Sequence, residues 1–291
     1  MKSPAFEYTR ARSIEEAREL LARHGADAKL LAGGQSLVPM MAMRLLRPAW
    51  LIDINEIAAL KLVALEADAA RTGACTRQVV LERDDALAAK VPLLRMALAC
   101  VGHVQTRNRG TVGGSLAHAD PSAELPLVAA VLGARVRLGS AAGSRELEAR
   151  EFFTGAMSTA ARADECLEEI SWPVWRERRA GAAFEEVSIR HGDFALVAAA
   201  AQVALGEDGR CARASFGLAG VGTKPVSFPA LAGRLAGTKL DDAAIDDAAR
   251  AASKEIRPGN DLHASSEYRR HLARVLVVRT LRAARARALA A

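Results

Sequence analysis

Two short segments carry residue types suited to holding an anion: Ala32-Gly33-Gly34-Gln35-Ser36 and Thr111-Val112-Gly113-Gly114-Ser115. The first follows Lys29-Leu30-Leu31, which reads as a strand, and opens a helix. Paired glycines lack Cβ atoms, so backbone N–H groups can approach a negative group closely. The helix N-terminus adds a favourable dipole, and Gln35 and Ser36 add side-chain donors. In the second segment the Thr111 and Ser115 hydroxyls flank the glycines. Either segment alone reads as a tight turn; the two together suit the two phosphates of a dinucleotide cofactor. Neither is GxGxxG or GxxxxGK[ST], so a Rossmann fold and a P-loop NTPase are not expected.

Other reactive residue types receive plainer readings. His103, His118 and His191 have no nucleophile or carboxylate partner placed by spacing, and read as hydrogen-bonding loop residues. Cys75, Cys100, Cys166 and Cys211 are scattered singly, without the spacing of a zinc site or an iron–sulfur cluster, so no metal of the chain's own is expected. They read as buried free thiols. Asp53, in LIDIN, reads as a turn or strand-end cap, and Met40, Met41 and Met43 as packing. The 40 basic residues exceed the 34 acidic ones for a net charge of +6. Both signs are interspersed without interleaved aromatics, which speaks against nucleic acid. The basic run Arg279 to Arg287 reads as one face of a final helix. The alanine richness reads as background composition.

The elements that must position the glycine segments follow from periodicity. Phe6 to Thr9 predicts a strand. Ser13-Ile14-Glu15-Glu16 predicts a capping box opening a helix through Leu21 that stops at Gly25. A helix through Met40, Met41 and Leu45 should end before Pro48, and Leu51 to Ile54 should be a strand. Leu93 to Val101 predicts a helix stopping near Gly102, followed by a loop up to a helix starting near Ala123. Strands should flank the Ala142-Gly143 turn, and Cys166 to Trp172 should be a strand ending at Pro173. The charged stretch Trp175 to Gly181 is the expected domain boundary. Beyond it, Asp208-Gly209 between VAAAAQVAL and RCARASFGL predicts a hairpin, and the chain is helical from Pro229. No apolar run approaches the roughly 20 residues that span a bilayer, and MKSPAFEYTRARS lacks a signal peptide's apolar stretch. A cytoplasmic protein is expected.

The strings LLAGGQSLVPMM, RGTVGGSLAHADPSAELP and SIRHGDFALV resemble the FAD-binding medium subunit of the molybdenum hydroxylases, the family of xanthine dehydrogenase and aerobic carbon monoxide dehydrogenase. The resemblance covers nearly the whole chain. It implies an α+β protein, with an FAD-binding domain of the vanillyl-alcohol-oxidase (PCMH) type over residues 1–176. A small lobe of about 1–57 and a larger lobe of about 58–176 would make up that domain. The family's α/β C-terminal domain would occupy 180–287.

The same resemblance puts Leu30 and Leu31, Ala32 to Leu37, and Thr111, Val112, Gly113, Gly114 and Ser115 around the FAD pyrophosphate. Ser115 stands where Asn or Asp is commoner. Glu124 matches an acidic residue on the adenosine or ribitol side; Gly102, Thr106 and His118 line the same cleft. Leu167 matches an apolar contact to the cofactor. Phe194 matches a position beside the isoalloxazine ring, although by itself it reads equally as a core phenylalanine. Some relatives carry a flavin-side Lys where this chain has Glu185, so that contact does not transfer.

The implied function is electron transfer with no catalytic acid or base. FAD would take electrons from two [2Fe-2S] clusters of a small subunit, reduced by a large subunit holding the molybdenum cofactor, and deliver them to a terminal acceptor. The assembly would be a dimer of heterotrimers. Two rival expectations are a self-sufficient flavin oxidase and a scaffold subunit with a decayed FAD site.

Overall fold

The computed structural model describes residues 2–291. The chain begins with β1 (Glu7–Arg10), α1 (Ile14–His24), β2 (Ala28–Leu31), α2 (Leu37–Ala42) and β3 (Trp50–Asp53). These form a three-stranded parallel sheet in the order β1-β3-β2. The middle strand, β3, is covered on both faces, which is why its Leu51 and Ile52 are buried. Ser13 caps α1 by accepting the Glu16 N–H at 3.1 Å. The return bond of the expected capping box closes one residue early, with Glu16 accepting from the Arg12 N–H at 2.7 Å.

The α2 helix ends at Ala42, short of the expected Leu45. Arg44 takes a left-handed conformation at φ 60°, and the Leu45 N–H turns back to the Met40 carbonyl at 2.9 Å. Met41 is consequently core, whereas Met43 is about half exposed and is not packing.

The larger lobe continues with β4 (Val63–Leu65), β5 (Ala69–Gly73), α3 (Gln78–Arg83), α4 (Asp85–Lys90) and α5 (Pro92–Leu98). Next come α6 (Val104–Arg109), α7 (Val112–His118), α8 (Glu124–Leu132), β6 (Arg135–Ser140) and β7 (Gly143–Glu148). The lobe closes with α9 (Ala149–Phe152), a small hairpin of β8 (Phe153–Gly155) and β9 (Ser158–Thr159), and β10 (Cys166–Pro173). Its antiparallel sheet runs β4-β5-β10-β6-β7.

The segment between Gly102 and Ala123, expected as a loop, contains α6 and α7. Tertiary packing overrides the poor helix propensity of Gly113-Gly114. The Thr111 hydroxyl accepts the Gly114 N–H at 3.1 Å, and Val112 and Leu116 are wholly buried.

The last third holds β11 (Arg179–Val187), β12 (Val197–Leu205), β13 (Cys211–Ala219), β14 (Val226–Ser227), α10 (Pro229–Leu235), α11 (Asp242–Glu255) and α12 (Ser266–Ala290). The four strands form an antiparallel sheet in sequence order, and the Asp208-Gly209 hairpin is present. All of β12 is buried. Its Ala198 and Ala200 join the core of the larger lobe, while Val197, Ala199 and Ala201 join the core beneath α12. Alanine there is a packing choice rather than background composition, because small side chains let helices lie close on both faces of one strand. The basic run Arg279 to Arg287 lies on α12 as expected. No helix among the described residues is long and apolar enough to cross a membrane.

Arg269, near the start of α12, is 7% exposed and ties three segments together. It donates to the carbonyls of Leu196 at 2.5 Å and Gly220 at 3.3 Å, and pairs with Asp261 at 2.5 Å. Truncation strands these buried carbonyls, at a cost of about 1–3 kcal/mol each when unpartnered. Arg269→Met is expected to lower unfolding stability by about 2 kcal/mol, read from the urea midpoint.

Candidate functional site

The two glycine segments, far apart in sequence, meet in space. A Cβ on Gly33 would run into the Arg109 carbonyl oxygen and lie 2.9 Å from the Gly110 Cα. Only glycine permits this backbone-to-backbone approach, which sets the first loop directly against the entry to α7. Gly34 follows in the left-handed region at φ +72°. The Gln35 side-chain amide donates to the Gly33 carbonyl at 3.1 Å.

The two segments then differ. In the first, the backbone N–H groups of Gly33, Gly34, Gln35, Ser36 and Leu37 have no partner among the described residues. Such a row at a loop-to-helix junction is a donor array for an anion. In the second, four of the five backbone donors are already taken, and only the Thr111 N–H is without a partner among the described residues. Val112 N–H donates to the Thr76 carbonyl at 3.0 Å and Gly113 N–H to Ala74 at 2.9 Å. Gly114 N–H is taken by the Thr111 hydroxyl and Ser115 N–H by the Thr111 carbonyl. A Cβ on Gly113 would strike Ala74, with its Cα at 2.6 Å and its carbonyl oxygen at 2.7 Å. That glycine seats α7 on the end of β5; what the segment can still offer a ligand is the Thr111 N–H and the Ser115 hydroxyl.

Two residues the sequence reading did not select bind the loops together. The Asn55 side-chain amide donates to the carbonyls of Ala32 at 2.8 Å and Leu31 at 3.1 Å, and its oxygen accepts from Arg77 Nη2 at 2.6 Å. Arg77 Nη1 donates to the Arg109 carbonyl. Asp53 holds Asn55 through its backbone N–H at 2.8 Å, which is the cap expected of it, and accepts from the Tyr8 hydroxyl at 2.7 Å. A D-x-N triplet at a strand end was the available signal, but it marks a turn rather than a partner.

The remaining expected residues lie on other elements of the larger lobe and on the loop into β12. Gly102 abuts Thr106, and Gly192 abuts both His103 and Gly102, so the β11–β12 loop lies against the start of α6. That loop carries Phe194, which is 71% exposed and therefore not a core residue. It lines a cavity of about 250 Å³ together with Ser122, Asp261 and Arg269. Leu167 packs in the same core as Val112 and Leu116, with little surface left. His118 is half-buried at the end of α7.

Glu124 opens α8, is 9% exposed, and its carboxylate faces its own backbone N–H, with no hydrogen bond from another residue among the described residues. Burial raises its pKa to about 7, with Asp120 adding to the rise. Glu186 feels both burial and Glu124, and is raised to about 8. Strand alternation explains why Glu186 rather than Glu185 faces the larger lobe. Glu185 points to the α12 side and pairs with Arg279 at 2.7 Å.

A row of free N–H groups on one loop and a buried carboxyl at the start of α8 suit a ligand with an anionic middle and hydroxyl-bearing arms. FAD has that chemistry. The family described as the FAD binding domain in molybdopterin dehydrogenase matches residues 4–175, and the CO dehydrogenase flavoprotein C-terminal domain matches 182–284. The chain is 39% identical to the 6-hydroxypseudooxynicotine dehydrogenase complex subunit alpha of Paenarthrobacter nicotinovorans, over 97% of this chain and 95% of that one. It is 37% identical to the carbon monoxide dehydrogenase medium chain of Afipia carboxidovorans, over 98% of each. A solved structure, reconstituted CO dehydrogenase from Oligotropha carboxidovorans, superposes with a TM-score of 0.96 at 36% identity, covering 99% of this chain and 100% of that one.

Fold and site together define an FAD-binding flavoprotein chain. It belongs to the carbon monoxide dehydrogenase and xanthine dehydrogenase family, as an FAD-binding medium subunit, and is an oxidoreductase component.

The Glu124 carboxyl gives a pH test. Its pKa rises on folding from 4.5 to about 7, so its contribution is fully present below about pH 4.5 and lost as pH climbs through 7. Without FAD, wild type should lose up to roughly 3 kcal/mol relative to Glu124→Gln between about pH 4.5 and 8. Denaturant melts across that range check this; parallel curves for the two proteins would contradict it.

Proposed function

We propose that this chain is the electron-relaying subunit of a heterotrimeric molybdenum hydroxylase. Bound FAD would take electrons from [2Fe-2S] clusters of a small subunit, themselves reduced by a molybdenum-cofactor large subunit, and deliver them to a terminal acceptor. The reading is carried by the row of unpartnered N–H groups from Gly33 to Leu37. The near-complete overlap with a medium chain and with a subunit of a dehydrogenase complex accompanies it.

In this reading Ala32 to Leu37 receive the pyrophosphate, Ser115 adds a hydroxyl, and Glu124 accepts from cofactor hydroxyls. Gly102, Thr106, His118 and Leu167 shape the cleft. Phe194, presented on an exposed loop, lies at the mouth where electrons leave. No side chain of this chain is assigned proton transfer to or from an organic substrate; the protein supplies binding, orientation and potential. The assembly is a dimer of heterotrimers in the cytoplasm, and the substrate is chosen by the large subunit.

The purified chain should show flavin absorption bands yet no oxidation of organic substrates until joined by its partners. Bands with substrate turnover by the chain alone would indicate a self-sufficient oxidase, and an absence of bands a scaffold. In the assembled complex, Phe194→Ala should slow flavin reoxidation by the acceptor and leave cluster reduction by substrate unchanged, each followed by rapid mixing. The reverse pattern would reject the role given to Phe194. Glu124→Ala should weaken FAD binding about ten- to hundredfold, measured by flavin fluorescence, for loss of a charge-assisted hydrogen bond.

A further inference from the structure

We propose that Asn55 and Arg77 are positioning residues of the FAD site that aim the donors of the first glycine loop without touching the cofactor. The proposal rests on the reading that this loop receives the pyrophosphate.

In a trans peptide the C=O and N–H point in opposite directions. Among the described residues no peptide bond is cis. The Ala32 carbonyl belongs to the same peptide plane as the Gly33 N–H. Asn55 Nδ2 holds that carbonyl at 2.8 Å, so the Gly33 N–H is turned away from Asn55. Gln35 acts likewise one peptide later, holding the Gly33 carbonyl at 3.1 Å and turning the Gly34 N–H outward. Leu31 already has a second tie, since its carbonyl accepts the Ile54 N–H at 3.1 Å. Ala32 has none besides Asn55.

Arg77 completes the device from the other side. One guanidinium nitrogen holds Asn55 Oδ1 at 2.6 Å, which settles the rotamer of the amide and directs its NH₂ group at the loop. The other holds the carbonyl of Arg109, the atom against which Gly33 packs. One cation therefore fixes both the wall behind the loop and the amide that orients it. Asp53 and Tyr8 anchor Asn55 to β3 and β1, so the orientation is referred to the sheet rather than to a mobile loop.

An alternative account makes Asn55 a plain structural tie between lobes. The two accounts differ in what the bound cofactor senses. If Asn55 orients donors, its loss changes the surroundings of the phosphorus atoms and leaves those of the flavin ring alone.

The experiment uses the full chain with Asn55→Ala and Arg77→Gln, and Gly33→Val as a control in the loop itself. FAD affinity is measured by fluorescence, and at saturating FAD the ³¹P resonances and the visible spectrum are recorded. Asn55→Ala is expected to raise the FAD Kd at least tenfold and to move the pyrophosphate ³¹P signals, with flavin bands unchanged. Arg77→Gln should shift both readouts in the same direction, and it carries the test if Asn55→Ala does not fold. Affinity within twofold of wild type in a folded variant overturns the proposal, as does a weakened affinity with unmoved ³¹P signals. Should Gly33→Val also bind FAD normally, the reading of the first loop fails; should it abolish binding while the Asn55 and Arg77 variants are silent, only the positioning role fails.

Discussion

The site depends on one backbone contact, that of Gly33 against the Arg109 carbonyl and the Gly110 Cα. With no room for a Cβ, the first loop lies flat on the chain entering α7. Its Ala32 carbonyl is taken up by Asn55 behind it and its Gly33 carbonyl by the loop's own Gln35, and five successive N–H groups are left without a partner among the described residues. A donor row of this kind is costly if sealed in the interior, because unpaired backbone groups lose hydration without recompense. It is tolerable only where water or an anionic ligand reaches it, and that restricts the row to a cleft.

The second glycine pair serves the same site by a different route. Gly113 lets α7 sit on Ala74 at the end of β5, and Thr111 caps the helix that results. Their contribution is to place the Ser115 hydroxyl and the α7 backbone at a fixed distance from the first loop. Two segments that look alike in composition are therefore a donor surface and a foundation.

The second constraint is the sharing of β12 between two cores. Because alternate residues of one strand face opposite sides, each core receives part of β12, and the larger lobe and the C-terminal sheet pack as one body. That fixes β11, sends Glu186 toward Glu124 and Glu185 toward Arg279, and lays the Phe194 loop on Gly102 and His103. Glu185 thus falls on the α12 face of the strand, away from the larger lobe.

Local chemistry was legible in the sequence wherever it acts over a few residues. The strands around β2 and β3, the cap at Ser13, the Asp208-Gly209 hairpin and the two glycine segments all follow from periodicity, capping and turn preferences, which are short-range. That the two glycine segments lie together was also readable, through their resemblance to a family. Tertiary structure alone decided the rest. Helix α7 forms over a glycine pair because buried Val112 and Leu116 outweigh propensity. Met43 is exposed because Arg44 turns the chain one residue after it. Which glycine N–H groups remain free depends on acceptors at Ala74 and Thr111, and the aim of the first loop depends on Asn55 and Arg77. These are partners from other elements, and hydrogen bonds between distant segments leave no period or spacing in the chain from which they could be read.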